Sequence, residues 1–310
     1  MPPMRDNEQH PAISTPMTTQ RRPGPLTPIA ALALALAATA FAADRPAAET
    51  LLAEKRPLVI GHRGYPALAP ENTLPSFEFA LAAGADLVEL DYYHASDGIP
   101  VVIHDADLDR TTDAKTRWQA QKIRTESRSS TDLQTLDAGS WYNRRYAGTR
   151  IPLLNEALDL IQKKGVTLIE RKAGDPRALV ELLHQRQWIN QLVVQSFDWE
   201  YLREFHRLEP RQILGALGPP GSVGGRKLTD EEKALSQAWV DQVRALGATI
   251  VVWNRQVTQP AVDYAHSLGL KVWAYTINEA PLANTLWDAG VDGIITDNPA
   301  VIWRARALRQ

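Results

Sequence analysis

The 310-residue chain contains no cysteine. That excludes disulfides, thiolate metal sites and cysteine nucleophiles, although it does not fix the redox compartment. Charge of one sign is also lacking: 34 Lys and Arg stand against 36 Asp and Glu, a formal net charge of −2. No global field therefore favours nucleic acid or an anionic membrane. No apolar run reaches the roughly 20 residues of a spanning helix. What the chain does hold is ordinary for a soluble globular protein, 44% hydrophobic and 23% charged, with nine Trp and eight Tyr as amphipathic rings.

The N-terminal 42 residues read as an export signal and not as fold. Residues 1–28 are polar and proline-rich, with Arg21 and Arg22 just before an apolar Ala/Leu run over 28–41. The run closes on Ala40-Phe41-Ala42, a small-x-small cleavage pattern before Ala43. Met17 makes a more typical start for such a signal than Met1, and Arg21-Arg22 lacks the surroundings of a twin-arginine signal. The expectation is a mature chain over 43–310, periplasmic or secreted, with no membrane span after cleavage.

The mature part alternates short β-branched runs with helical patterns, which argues α/β with a parallel sheet. Strands are expected at 58–61, 87–91, 101–104, 166–170, 192–196, 212–216, 249–253, 271–275 and 293–296. Helices are expected at 73–83, 153–164, 176–186, 200–208, 231–246, 260–268 and 280–289. Nine strands are one too many for an eight-stranded barrel. The link from Asp91 to Val101 is too short for a parallel crossover and holds the turn signal Ser96-Asp97-Gly98. Residues 87–93 and 99–104 thus read as a hairpin, with His104 roughly opposite Asp91. Its return arm is the surplus strand, and a (β/α)₈ barrel of about 250 residues remains. Residues 105–150 interrupt the alternation and are expected as an insertion over the barrel mouth, anchored by Trp118, Trp141 and Tyr142. The Gly-rich stretch 218–226 lacks the spacing of a phosphate-binding loop and is expected as a mobile loop.

Chemistry-bearing residues gather at the carboxyl ends of these strands, where such barrels build their sites. Gly61-His62-Arg63-Gly64 follows the first. Glu89 and Asp91 share one face of the second through their i, i+2 spacing. His104-Asp105 ends the hairpin, and Glu170-Arg171-Lys172 ends the next strand. Three inward carboxylates, Glu89, Asp91 and Glu170, are costly to bury without a cation, and oxygen ligands suit Mg²⁺ or Ca²⁺. Imidazole titrates near neutral pH, so His62 and His104 suit acid–base work. Arg63 and Lys172 offer fixed positive charge for a phosphate. Each cluster alone has a plain structural reading, such as a solvated pair or a turn cap; four at successive strand ends do not.

Gly61-His62-Arg63-Gly64, Ala69-Pro70-Glu71-Asn72-Thr73, Glu89-x-Asp91, Asp97-Gly98 running on to His104-Asp105, and Asp109-Arg110-Thr111-Thr112 together resemble the glycerophosphodiester phosphodiesterase signature. Residues 151–158, Gln195-Ser196-Phe197, 272–278 and 290–299 extend the likeness across 58–303. The resemblance implies a (β/α)₈ barrel with an insertion at 105–150 and one divalent cation, Ca²⁺ or Mg²⁺, held by Glu89, Asp91 and Glu170. It implies His62 and His104 as the acid–base pair, Arg63 and Lys172 on phosphate, Asn72 ordering the site, and Trp273 in an aromatic wall. Two departures stand out: Arg171 between Glu170 and Lys172, and Tyr92-Tyr93 after Asp91. The implied reaction is hydrolysis of a small glycerophosphodiester to glycerol 3-phosphate and an alcohol, attacked by water or by the substrate's own hydroxyl. Rival readings are a lysophospholipase D or sphingomyelinase D-like activity on the same barrel, a silent exported phosphodiester-binding protein, and a metal-dependent sugar isomerase. No obligate protein partner is evident.

Overall fold

The computed structural model describes residues 48–309. The export segment and the boundary near residue 43 lie outside the described residues. In chain order the elements are α1 (Ala48–Leu52), β1 (Leu58–Gly61), α2 (Leu74–Ala82), β2 (Leu87–His94), β3 (Pro100–Val102), α3 (Ala114–Arg117), α4 (Ser130–Leu133), α5 (Leu154–Ile161), β4 (Val166–Arg171), α6 (Pro176–Gln185), β5 (Val193–Ser196) and α7 (Trp199–Leu208). They continue with β6 (Leu214–Gly218), β7 (Ser222–Val223), β8 (Arg226–Lys227), α8 (Gln237–Ala245), β9 (Ile250–Trp253), α9 (Gln259–Ser267), β10 (Lys271–Ala274), α10 (Ala280–Asp288), β11 (Gly293–Thr296) and α11 (Pro299–Ala307).

Eight of these strands pair in parallel in the order β1-β11-β10-β9-β6-β5-β4-β2, and β2 returns to β1 to close the barrel. Their burial is nearly continuous because one face lines the interior and the other packs on helices. Period-2 alternation divides the two faces. Leu58, Ile60, Leu87, Val166, Leu168, Val193, Leu217, Ile250, Val252, Trp273 and Ile295 fill the interior. Val59, Val88, Leu90, Ile169, Val194, Val251 and Ile294 face the helices. A filled interior puts a floor under anything built at the carboxyl ends.

Strand β3 runs antiparallel to the upper part of β2, with Tyr92 opposite Val102, so the expected hairpin forms and its return arm stays outside the barrel. Its register differs by one residue from the expected one. The Ile103 N–H donates to the Asp91 carbonyl at 3.0 Å, placing Ile103 opposite Asp91 and His104 one step beyond.

Other expectations are corrected. The fifth barrel strand, β6, starts at Leu214 and not 212, because Gln212 turns its amide onto the Leu192 and Ile213 carbonyls. The stretch expected as a mobile loop carries a short antiparallel pair, β7–β8, over residues 222–227. Segment 105–150 is anchored by Leu108, Ile123, Leu133 and Leu136, packed with Tyr93 and Val101. Of its expected anchors, Trp118 only abuts this cluster and Trp141 is exposed. Four helices were not anticipated: α1, the short α3 and α4 within segment 105–150, and α11. In α1, Ala48 and Leu51 pack on Leu58, Leu87 and Val166 at the starts of their strands. In α11, Asn298 caps the helix by accepting from the Val301 N–H.

Candidate active site

The site grows from a backbone device at the end of β1. Arg63 and Asn72 both adopt left-handed φ angles, 53° and 57°, which non-glycine residues seldom take outside sites that need them. The Asn72 N–H donates to the Arg63 carbonyl at 3.0 Å and locks the two together. Gly61 is required beneath them, since a Cβ there would sit 2.4 Å from the Gly64 carbonyl oxygen. With the loop so turned, the Arg63 N–H donates to Glu89 Oε2 at 2.6 Å. Asn72 Nδ2 donates to Asp91 Oδ2 at 2.8 Å, and its Oδ1 accepts from the Asp91 N–H at 3.1 Å.

Glu89, Asp91 and Glu170 are buried together, and ligand oxygens from the three lie within 4.8 Å of one another. The register of β2 with β4 sets Asp91 beside Glu170. Lys172 Nζ pairs with Asp91 Oδ1 at 3.0 Å and also with Glu170. Burial, then repulsion from Asp91, pushes Glu170 up to about 7. Burial and both neighbouring carboxylates raise Glu89 well above its ordinary range. Burial would raise Asp91 too, but Lys172, Arg63 and His104 outweigh it and hold that group at about 2. The triad thus divides by the positive charge each member faces.

Each histidine is backed by a carboxylate. His62 Nδ1 lies 2.7 Å from Asp297 Oδ1, and His104 Nδ1 lies 2.7 Å from Asp105 Oδ1. Burial, with the cations Lys172 and Arg63, lowers the His104 imidazole against the opposing pull of Asp91. His62, Arg63, His104, Glu170 and Lys172 open on one cleft of about 230 Å³, whose far wall includes Gln195, Phe197, Leu217 and Tyr275.

Eight of the nine expected site residues therefore meet: His62, Arg63, Asn72, Glu89, Asp91, His104, Glu170 and Lys172. Trp273 does not. It is fully buried in the barrel interior, a layer below the cleft, and the aromatic wall consists of Phe197 and Tyr275, edge to face at 5.9 Å. Asp297 and Glu71 lay inside the quoted motifs without a role. So did Gln195, which is buried with its Oε1 unpaired among the described residues. Its i, i+2 spacing to Phe197 on one strand face was the available signal.

Residues 62–301 match the Glycerophosphoryl diester phosphodiesterase family. A glycerophosphodiester phosphodiesterase of Bacillus subtilis (strain 168) is 29% identical over 279 residues, covering 83% of this chain and 88% of that protein. A glycerophosphodiester phosphodiesterase of Caldanaerobacter subterraneus is 29% identical over 252 residues, covering 79% of this chain and 96% of that one. Among solved structures, an Oleispira antarctica phosphodiesterase in complex with the product sn-glycerol-3-phosphate is 31% identical with a TM-score of 0.70, covering 81% of this chain and 96% of that one. The chain belongs to the glycerophosphoryl diester phosphodiesterase family.

Proposed function

We propose that the protein is a divalent-cation-dependent enzyme that hydrolyses glycerophosphodiesters to glycerol 3-phosphate and an alcohol. The observation that carries this is the convergence of a buried three-carboxylate cluster, two carboxylate-backed histidines and two fixed cations on one cleft.

The donor set fits a hard ion. Among the described residues, Glu89 Oε1 and Asp91 Oδ1 are buried with no hydrogen-bond partner, and Asp91 Oδ1 faces only the ionic contact from Lys172. Acceptor-only oxygens left so are costly unless a cation is shared among them. Glu89, Asp91 and Glu170 would hold Ca²⁺ or Mg²⁺, which when bound offsets negative charge gathering on a phosphate oxygen.

The chain's own groups do the rest. Asp297 and Asp105 each accept the Nδ1 proton of their histidine, fixing the tautomer and leaving Nε2 to exchange protons. One histidine takes a proton from the nucleophile, and the other supplies one to the departing alkoxide. Arg63 binds phosphate oxygens with its fork, and Lys172 adds a point charge. Gln195 Oε1, unpaired among the described residues, offers an acceptor for a hydroxyl of the glycerol unit.

The test is turnover of purified protein on a panel of glycerophosphodiesters, with chelator and then metal add-back. Turnover that ignores chelation overturns the metal role, and no release of glycerol 3-phosphate from any member overturns the substrate class. The exposed Phe197 ring beside Tyr275 offers an apolar contact that an acyl chain could use, so a lysophospholipid belongs in the same panel. Export rests on the 28–41 apolar run and Ala40-Phe41-Ala42, and is tested by the amino terminus of the protein recovered outside the cytoplasm. Among the described residues, no helix is long and apolar enough to cross a membrane.

A further inference from the structure

The Asp109-Arg110-Thr111-Thr112 motif supplies nothing to the chemistry above, yet its arginine touches both halves of the site. The Arg110 guanidinium lies between two carboxylates. Its Nε donates to Asp105 Oδ2 at 2.6 Å and its Nη2 to Asp105 Oδ1 at 3.0 Å. On the other side Nη1 donates to Glu71 Oε2 at 2.8 Å and Nη2 to Glu71 Oε1 at 2.7 Å. Both carboxylates pass the connection on. Asp105 Oδ1 meets His104 Nδ1, and Glu71 Oε1 accepts from Arg63 Nη1 at 2.8 Å. Five side chains from two loops, 62–73 and 103–113, thus form one run, His104, Asp105, Arg110, Glu71 and Arg63.

Single exposed ion pairs stabilise little, and Arg110 is nearly half exposed, but a forked, two-sided contact within a charge network is the exception. Burial alone would raise both carboxylates. Arg110, joined by His104 at Asp105 and by Arg63 at Glu71, outweighs it, holding Asp105 at about 2 and Glu71 below its usual range. The turn presenting Arg110 is itself fixed. Thr112 Oγ1 donates to the Leu108 carbonyl at 2.6 Å, Leu108 is buried, and its N–H donates to the Ile123 carbonyl. A lysine in place of Arg110 cannot reproduce four directed contacts to two carboxylates.

We infer that Arg110 is a positioning residue that sets the His104 imidazole and the Arg63 guanidinium relative to one another through Asp105 and Glu71. Segment 105–150 thereby contributes to turnover through Asp105 and Arg110. The inference rests on the phosphodiesterase reading above.

The experiment compares full-length, metal-supplied wild type with Arg110→Ala, Arg110→Lys, Asp105→Asn and the double variant Arg110→Ala/Asp105→Asn, on glycerophosphocholine. Arg110→Ala should lower kcat about 10- to 100-fold, the scale of a misplaced catalytic group, with a smaller change in KM and an unchanged folded fraction by circular dichroism. Arg110→Lys should recover only a minor part. Millimolar methylguanidinium should restore Arg110→Ala and leave Asp105→Asn unaffected. The double variant should lose no more than about the larger single loss, because both act on one contact. Wild-type kcat in Arg110→Ala overturns the inference. So do losses that multiply in the double variant, or a loss that tracks unfolding and ignores methylguanidinium. Failure of the wild type itself to turn over would instead sink the phosphodiesterase reading.

Discussion

His62 Nδ1 and Asp297 Oδ1 lie 2.7 Å apart, so the residue after the first barrel strand is oriented by the residue after the last. Asp297 is itself held, since its Oδ2 accepts from Asn278 Nδ2 at 2.7 Å and its N–H donates to Asn278 Oδ1 at 2.8 Å. Burial would raise this carboxylate, and the contact with His62 keeps it lowered and charged. Asp297→Asn removes the acceptor that fixes the tautomer while keeping the shape. It should lower kcat by about 10²-fold or more with little change in KM, measured by steady-state assay. An Asp297→Asn variant with wild-type kcat would show that His62 needs no orienting carboxylate.

The triad makes the metal-free protein sensitive to alkali. Glu89 and Glu170 have folded pKa values raised above their unfolded ones, chiefly by burial, so the folded state holds protons that the unfolded state has lost. Their favourable contribution is complete below the unfolded value and drains as pH rises through about 7 and beyond. Asp91, lowered to about 2, has delivered its full contribution well below neutrality. The lowered His94 and His104 act in the opposite sense, but chiefly below about 6.5. Chelated protein should therefore melt roughly 3–8 °C lower at pH 8.5 than at pH 7, and Ca²⁺ or Mg²⁺ should remove most of that difference. A calorimetric melt with the same midpoint at both pH values, with and without metal, would contradict a cation-binding triad.

Much of the barrel and the metal-type cluster could be read directly. Runs such as 58–61 and 293–296 are apolar because both faces are buried, and i, i+2 spacing fixes which side chains share a face whatever the rest of the fold does. Long-range partners are another matter. Asp297 meets His62 from 235 residues away, through the β1–β11 register that closes the barrel, and that register is not visible in one sequence. Trp273 shows a second limit. Alternation puts it inward together with Tyr275, but period 2 carries no information on depth, and the smaller neighbour Gly293 is what admits the ring to the lower layer. Segment 105–150 misled through its tryptophans, because its buried anchors are three leucines and an isoleucine scattered without period.

Gln195 offers a test of which side of the diester is recognised. It is 1% exposed, with Oε1 unpaired among the described residues, and it lines the cleft together with Glu170 and Tyr275. A buried amide in that state gains a partner only when a ligand hydroxyl arrives. Gln195→Leu should raise KM for glycerophosphocholine about 10-fold, the effect of one buried hydrogen bond of about 1.4 kcal/mol. Hydrolysis of bis(p-nitrophenyl) phosphate, which has no glycerol hydroxyl, should change less than about 2-fold. Equal losses on both substrates would mean that Gln195 supports the site without reading the glycerol.

The floor beneath the site makes the last prediction. Trp273 stands opposite Gly293 in the β10–β11 register, and a Cβ on Gly293 would lie 2.6 Å from the indole Cδ1 and 2.8 Å from Nε1. Strand glycines usually gain stability on replacement by alanine, through unfolded-state entropy and better packing. Here the indole is fully buried and has no room to retreat, so overpacking decides the sign. Gly293→Ala should cost about 1–3 kcal/mol in urea unfolding. Trp273→Leu made in the same chain should recover part of the loss, since the smaller side chain leaves space for the added methyl. A neutral or stabilised Gly293→Ala would mean that the interior layer under the catalytic cleft is looser than the strand register implies.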